Sequence, residues 1–248
     1  IVFGVRIGAC GLSLITLWMV SRRRNTPVFI LNIICLVLLI IHSGLYLQYL
    51  LGNYGSVSNY LTHFYLNISL LEMNTSVAAN IIQYLIIISV KASLVFQCRV
   101  VFADWQLASN IVTGALLMVC IPSIGFWTVS TVWNSQQILD ASKQDNPMLL
   151  RYNWVPITAQ LFYASIITVS CLVFNSKLLF AIRKRRVLGL KQFGALQIIF
   201  TVGCQTMIVP TVLSFINFAL PESSPYGISA LTSMFVVISL PLSAMWAS

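Results

Sequence analysis

In this chain of 248 residues only two histidines, His42 and His63, are available as bases near neutral pH, and the carboxylates number five, Glu72, Asp104, Asp140, Asp145 and Glu222. All five acids fall between apolar runs or at their ends, so none is placed for proton pumping or proteolysis inside a bilayer. The sequence has no glycine-rich phosphate loop and no Cys/His spacing suited to a metal. Cys10, Cys35, Cys98, Cys120, Cys171 and Cys204 all lie within apolar runs, where small reduced thiols pack like hydrophobic side chains. Neither an enzyme, a metal nor a cofactor is expected. The chemistry that remains is hydrogen bonding by polar groups set in apolar surroundings: Arg6, Asn32, His42, Asn80, Gln83, Lys91, Gln97, Gln205 and Asn217.

The elements that hold them follow from composition. The chain is 58% hydrophobic and 8% charged, with a mean hydropathy of +0.90; soluble domains carry about 25% charged residues. Its length matches seven apolar spans of roughly 20 to 25 residues with short connections. The runs predict helices over Ile1–Val20, Val28–Leu51, Val77–Val101, Ser109–Thr131, Val155–Ile182, Phe193–Leu220 and Ile228–Trp246. They show no strand-like alternation, and in lipid only helices or closed barrels satisfy their own backbone. The expected fold is all-α: one seven-transmembrane-helix bundle over residues 1–248. The apolar beginning reads as a chain starting inside a helix, with tails missing at both ends and no secretory leader pattern.

The net charge of +9 raises nucleic-acid binding, but the basic residues form short clusters between apolar runs instead of interleaving along a polar face, so that class is set aside. Arg22, Arg23 and Arg24 after the first run, Arg99 after the third, and Lys177, Arg183, Lys184, Arg185, Arg186 and Lys191 around the end of the fifth lie on one side; only Lys143 and Arg151 lie on the other. The positive-inside rule makes the first side cytoplasmic and the N-terminal end extracellular. Asn67 and Asn74 begin glycosylation triplets on the outer side. They lie in Gly52–Ser76, long and polar for a membrane loop.

Polar groups within spans are costly in lipid unless they face the bundle or water. Arg6, His42, Asn80, Gln83 and Asn217, toward the outer ends, read as a ligand cavity, or else as interhelical hydrogen bonding, with snorkelling open to Arg6. Asn32, Gln97 and Gln205, nearer the inner side, read as a switchable network or as plain structural glue. Lys91, mid-span without an acidic partner, must reach a polar cavity, a carbonyl or a partner, with its stem extending toward water as the favoured reading. Pro122, Pro156, Pro210 and Pro241 can kink their helices; Pro210, joined to the basic run, reads as a lever or a static bend. The run from Arg183 to Lys191 reads as an orientation signal, an anionic-lipid contact or a partner surface. Gly4 and Gly8 form a small-xxx-small face that could dimerise.

At this point seven segments resemble one family in order along the chain: Gly4-Val5-Arg6-Ile7-Gly8, Ser21-Arg22 through Thr26-Pro27, Asn80-Ile81-Ile82-Gln83, Ser93-Leu94-Val95-Phe96-Gln97, Ala181-Ile182-Arg183, Leu188-Gly189-Leu190-Lys191-Gln192-Phe193 and Leu240-Pro241-Leu242-Ser243-Ala244-Met245-Trp246-Ala247. They resemble the fungal mating-pheromone receptors of the alpha-factor type, seven-helix G-protein-coupled receptors. The resemblance implies an extracellular peptide pheromone, a heterotrimeric G protein, homodimers through helix 1, and a place in the plasma membrane. It implies that Arg6, His42, Tyr46, Tyr49, Tyr54, Asn80 and Gln83 line or border the peptide site, with Asn217 and Phe218 beside them. It implies an activation network of Asn32, Gln97, Gln205, Pro210, Leu240, Pro241 and Ser243, and a G-protein face of Arg22, Arg23, Arg24, Arg183, Lys184, Arg185, Arg186, Leu190, Lys191 and Gln192. Two positions depart from the family pattern: Phe218 stands in place of a tyrosine and Lys91 in place of an acid. A seven-helix transporter or channel is the alternative, resting on Lys91, and lacks the internal repeat such folds usually carry; a bundle that only dimerises is a third.

Overall fold

The structure, a computed structural model, describes residues 1–21, 26–52, 69–102, 106–140, 154–187, 208–209, 211–216 and 227–247. Among them every regular element is a helix: α1 (Val2–Val20), α2 (Pro27–Leu51), α3 (Leu70–Val101), α4 (Gln106–Asp140), α5 (Trp154–Val187), α6 (described at 208–209 and 211–216) and α7 (Gly227–Ala247). Five of these, α1 to α5, are long and apolar enough to cross a membrane, and Ala230–Pro241 supplies a shorter apolar stretch in α7.

α1, α2 and α7 match the expected runs within a residue or two, whereas α3, α4 and α5 overrun theirs. α3 begins at Leu70 instead of Val77 because Ser69 caps it: the Ser69 hydroxyl accepts from the Leu71 amide at 3.2 Å, and Glu72 sits in the first turn. Ser69-x-x-Glu72 is the pattern by which a hydroxyl and a carboxylate occupy the free N–H end of a helix. Asn74, expected in a loop, is therefore an exposed residue of a helix. α4 runs to Asp140, nine residues past the expected Thr131, and at 35 residues is about 52 Å long. Both helices thus extend beyond a hydrocarbon core of about 30 Å. Of the expected sixth helix, Phe193–Leu220, only the α6 pieces lie among the described residues.

Sequential described helices pack side by side from α1 to α5, and α7 closes against α1, α2 and α3; α3 also meets α5, which puts it at the centre. The core is a column of aliphatic side chains and thiols. Cys35, Leu36 and Leu39 of α2 meet Ile86, Val90 and Leu94 of α3, with Ile166 of α5 and Val237 and Leu240 of α7. The five described cysteines are free and buried, as expected; Cys204 lies outside the described residues. The outer surfaces carry exposed Leu, Ile, Val, Met and Phe, the composition a helix presents to lipid.

Candidate functional site

At one end of the bundle, where α1, α3 and α7 begin and α2 and α4 end, five helices enclose a cavity of about 420 Å³. Each contributes one face at helical spacing: Phe3 and Arg6 from α1, His42, Tyr46 and Tyr49 from α2, Ser76, Ala79, Asn80 and Gln83 from α3, Trp127, Asn134 and Ile138 from α4, and Ala230 and Ser233 from α7. One wall is aromatic. Phe3 stacks on Tyr46 with ring centroids 4.6 Å apart, and Tyr46 stands 5.8 Å from His42 and 5.3 Å from Tyr49. The Arg6 guanidinium lies 6.0 Å from the Phe3 ring centroid, at the outer limit of a cation–π contact.

The cationic floor is unusual for a buried group. Arg6 is 1% exposed, so it does not snorkel, and its Nε and Nη2 have no hydrogen-bond partner among the described residues. The same holds for His42 Nδ1 and the Ser76 hydroxyl. An unmet buried polar group costs about 1–3 kcal/mol, and more when charged. Four buried atoms with no partner among the described residues thus belong to three residues that line one cavity.

A second polar cluster lies deeper. The Ser93 hydroxyl donates to Asn32 Oδ1 at 2.7 Å, and Gln97 Nε2 donates both to Ser93 Oγ at 3.2 Å and to the Leu240 carbonyl at 3.1 Å. Four buried residues thereby join α2, α3 and α7 just before Pro241, whose missing N–H interrupts the helix ladder. Between the cavity and this cluster sits Lys91. Its ammonium donates to the Ser123 hydroxyl of α4 at 2.7 Å, and both residues are essentially inaccessible, at 1% and 0% exposed. The expected reach toward water does not occur: α4 packs directly over the ammonium and supplies the oxygen itself.

The whole of this chain, residues 1–248, matches the family model described as fungal pheromone mating factor STE2 GPCR. The chain belongs to the STE2 receptor family. It is 37% identical over 258 residues to the pheromone alpha factor receptor of Saccharomyces cerevisiae, covering 100% of this chain and 57% of that relative. It is 35% identical to the pheromone alpha factor receptor of Lachancea kluyveri, covering all of this chain and 58% of the relative, and 26% identical to the pheromone P-factor receptor of Schizosaccharomyces pombe, covering 98% and 69%. The chain thus spans a little under three fifths of the alpha factor receptors it matches. Membership makes it a multi-pass, seven-helix membrane protein of the G-protein-coupled class, and the relatives named are receptors, not enzymes.

In this STE2-family chain, six residues expected at a ligand site, Arg6, His42, Tyr46, Tyr49, Asn80 and Gln83, come together on the one cavity; Tyr54, Asn217 and Phe218 lie outside the described residues. Asn32, Gln97 and Leu240 meet in the deeper cluster, with Pro241 buried beside it. Gln205 and Pro210 lie outside the described residues; Ser243 is on the described backbone of α7, its side chain outside it. Arg183 is exposed near the end of α5, at the pole opposite the cavity, and Lys184, Arg185 and Arg186 continue that helix. Arg22, Arg23, Arg24, Leu190, Lys191, Gln192 and the acceptor Asn67 lie outside the described residues. Gly4 and Gly8 are exposed on α1, with open space where a Cβ would stand. Trp127, Asn134, Ile138, Ser76 and Ser233 line the cavity without having been singled out from the sequence. For Ser76 the signal was the Ser69–Glu72 cap, which places it on the α3 face of Asn80 and Gln83.

Proposed function

We propose that this chain is the membrane domain of a plasma-membrane receptor that binds an extracellular peptide pheromone of the alpha-factor type in the five-helix cavity and activates a heterotrimeric G protein at the opposite pole. One observation carries the reading: a cavity with an aromatic wall and buried Arg6 and His42 atoms that have no partner among the described residues, at the end of the bundle opposite the basic end of α5. A peptide offers aromatic, carbonyl and carboxylate groups to such a surface, and a cavity of this size takes a few residues of it. The positive-inside asymmetry turns the cavity outward and leaves the N-terminal end outside.

Asn32, Gln97, Leu240, Pro241 and Ser243, with Gln205 and Pro210, would form the element with two arrangements. Arg22 to Arg24, Arg183 to Arg186, Leu190, Lys191 and Gln192 would offer the G protein and the anionic lipid of the inner leaflet a basic surface. Gly4 and Gly8 would allow two copies to approach through α1, and Asn67 and Asn74 would carry glycans. The transporter reading rested on Lys91, and an ammonium engaged by Ser123 and absent from the cavity wall gives it no support.

Binding of a labelled alpha factor, of the Saccharomyces cerevisiae and Lachancea kluyveri types, to this receptor in lipid nanodiscs tests the ligand side. Saturable binding that Arg6→Gln weakens about tenfold or more is expected, the loss of a charge-assisted contact. Folded receptor that binds neither peptide contradicts the reading.

A further inference from the structure

α3 and α4 are joined by a ladder of polar contacts. Lys91 meets Ser123 at 2.7 Å; two turns outward Tyr84 meets Thr128 at 2.7 Å; one turn further Asn80 donates to the Thr131 carbonyl at 3.0 Å and the Ser135 hydroxyl at 2.9 Å. Moving outward, the α3 number falls as the α4 number rises, as antiparallel helices require. The next step on α3 is Ser76, four residues before Asn80, and on α4 it falls one turn beyond Thr131 and Ser135, where Ile138 lies, with Asn134 beside the Asn80 rung at the inner edge of the opening. Here the ladder stops: Ser76 is more than nine-tenths buried, and its hydroxyl oxygen, itself inaccessible, has no hydrogen-bond partner among the described residues. Ser76, Asn134 and Ile138 all line the cavity.

The inner rungs fix the spacing of the two helices, so the open rung is a rigid slot. Its groups are neutral. A hydroxyl and a primary amide can each give and accept a hydrogen bond, and together they match the N–H and C=O of one peptide unit in an extended chain. Deeper on the same face of α4, Trp127 gives its indole N–H to the Ala159 carbonyl at 3.0 Å, so its ring is held in place and what it offers the cavity is apolar surface. We propose that Ser76 and Asn134 read a main-chain peptide unit of the ligand where it crosses the cavity mouth, while Trp127 and Ile138 receive an adjoining side chain. The α4 face is then a specificity-determining wall. This inference rests on the peptide reading given above.

The test is affinity of alpha factor and of a series of its analogues, each with one backbone amide replaced by an ester, for unsubstituted receptor, Ser76→Ala and Asn134→Ala in nanodiscs, with thermal unfolding as the folding control. Each substitution is expected to weaken the parent peptide about three- to tenfold, the loss of one net hydrogen bond. One ester analogue should lose a similar factor on unsubstituted receptor and nothing further on Asn134→Ala, because the same bond is already gone. Folded variants that bind the parent within about twofold, against the threefold or greater loss one hydrogen bond predicts, overturn the proposal, as does an ester series whose losses are identical on every receptor. If unsubstituted folded receptor binds no peptide, the ligand reading itself fails and this inference falls with it.

Discussion

Gln97 of α3 holds the carbonyl of Leu240 in α7 at 3.1 Å, one residue before Pro241. A side-chain bond to a carbonyl next to a helix interruption restrains the place where α7 bends most easily. Because the same amide nitrogen also reaches Ser93, which in turn holds Asn32, a change at Gln97 is felt on three helices.

Replacing Gln97 with Leu therefore removes the side-chain tie from α3 to the Leu240 carbonyl and one donor to the Ser93 hydroxyl. The variant is expected to unfold earlier in a detergent thermal-shift assay, by about 1–3 kcal/mol for the two hydrogen bonds lost, and to raise peptide-independent nucleotide exchange. A Gln97→Leu receptor with unchanged melting and unchanged basal exchange would mean that the cluster is inert.

The Lys91–Ser123 pair makes an asymmetric prediction. Ser123→Ala strands a buried ammonium and should destabilise by about 3 kcal/mol or more, whereas Lys91→Met removes the charge, keeps the volume and should be near neutral or stabilising. Adding Lys91→Met to Ser123→Ala should recover most of the loss. Equal destabilisation by the two single variants would contradict this account of how the ammonium is accommodated.

Ser69→Ala removes the cap of α3 at a cost of about 1 kcal/mol. The effect should be local, seen as faster amide hydrogen exchange at Leu71 to Met73, with the Lys91 region unchanged. Since Ser76 stands two turns further on, peptide affinity should fall modestly in the same variant. Unaltered exchange at these amides would show that the helix start is held by other contacts.

The sequence made the architecture legible because apolar runs and basic clusters are direct consequences of a bilayer. It also made legible which polar residues face inward, since Arg6, His42, Asn80 and Gln83 have nowhere else to go in lipid. Run-reading failed where helices continue into water. The apolar run of α3 starts at Val77, but the cap at Ser69 starts the helix; that of α4 ends near Thr131, yet Asn134 and Ile138 remain helical and reach the cavity. Lys91 was misplaced for another reason. Its partner is a lone serine 32 positions away, and serines are too common in such helices to mark a pairing. The Ser93 link between Asn32 and Gln97 was hidden in the same way.

The central claim is a peptide-driven change transmitted from the cavity to the basic pole. Its most direct test is nucleotide exchange on a purified fungal heterotrimeric G protein, with the receptor in lipid nanodiscs, with and without alpha factor. The account predicts peptide-dependent acceleration, lost with Arg6→Gln at the cavity and weakened by Arg183→Ala with Arg186→Ala at the other pole. Receptor that binds the peptide but leaves exchange at its basal rate would contradict it.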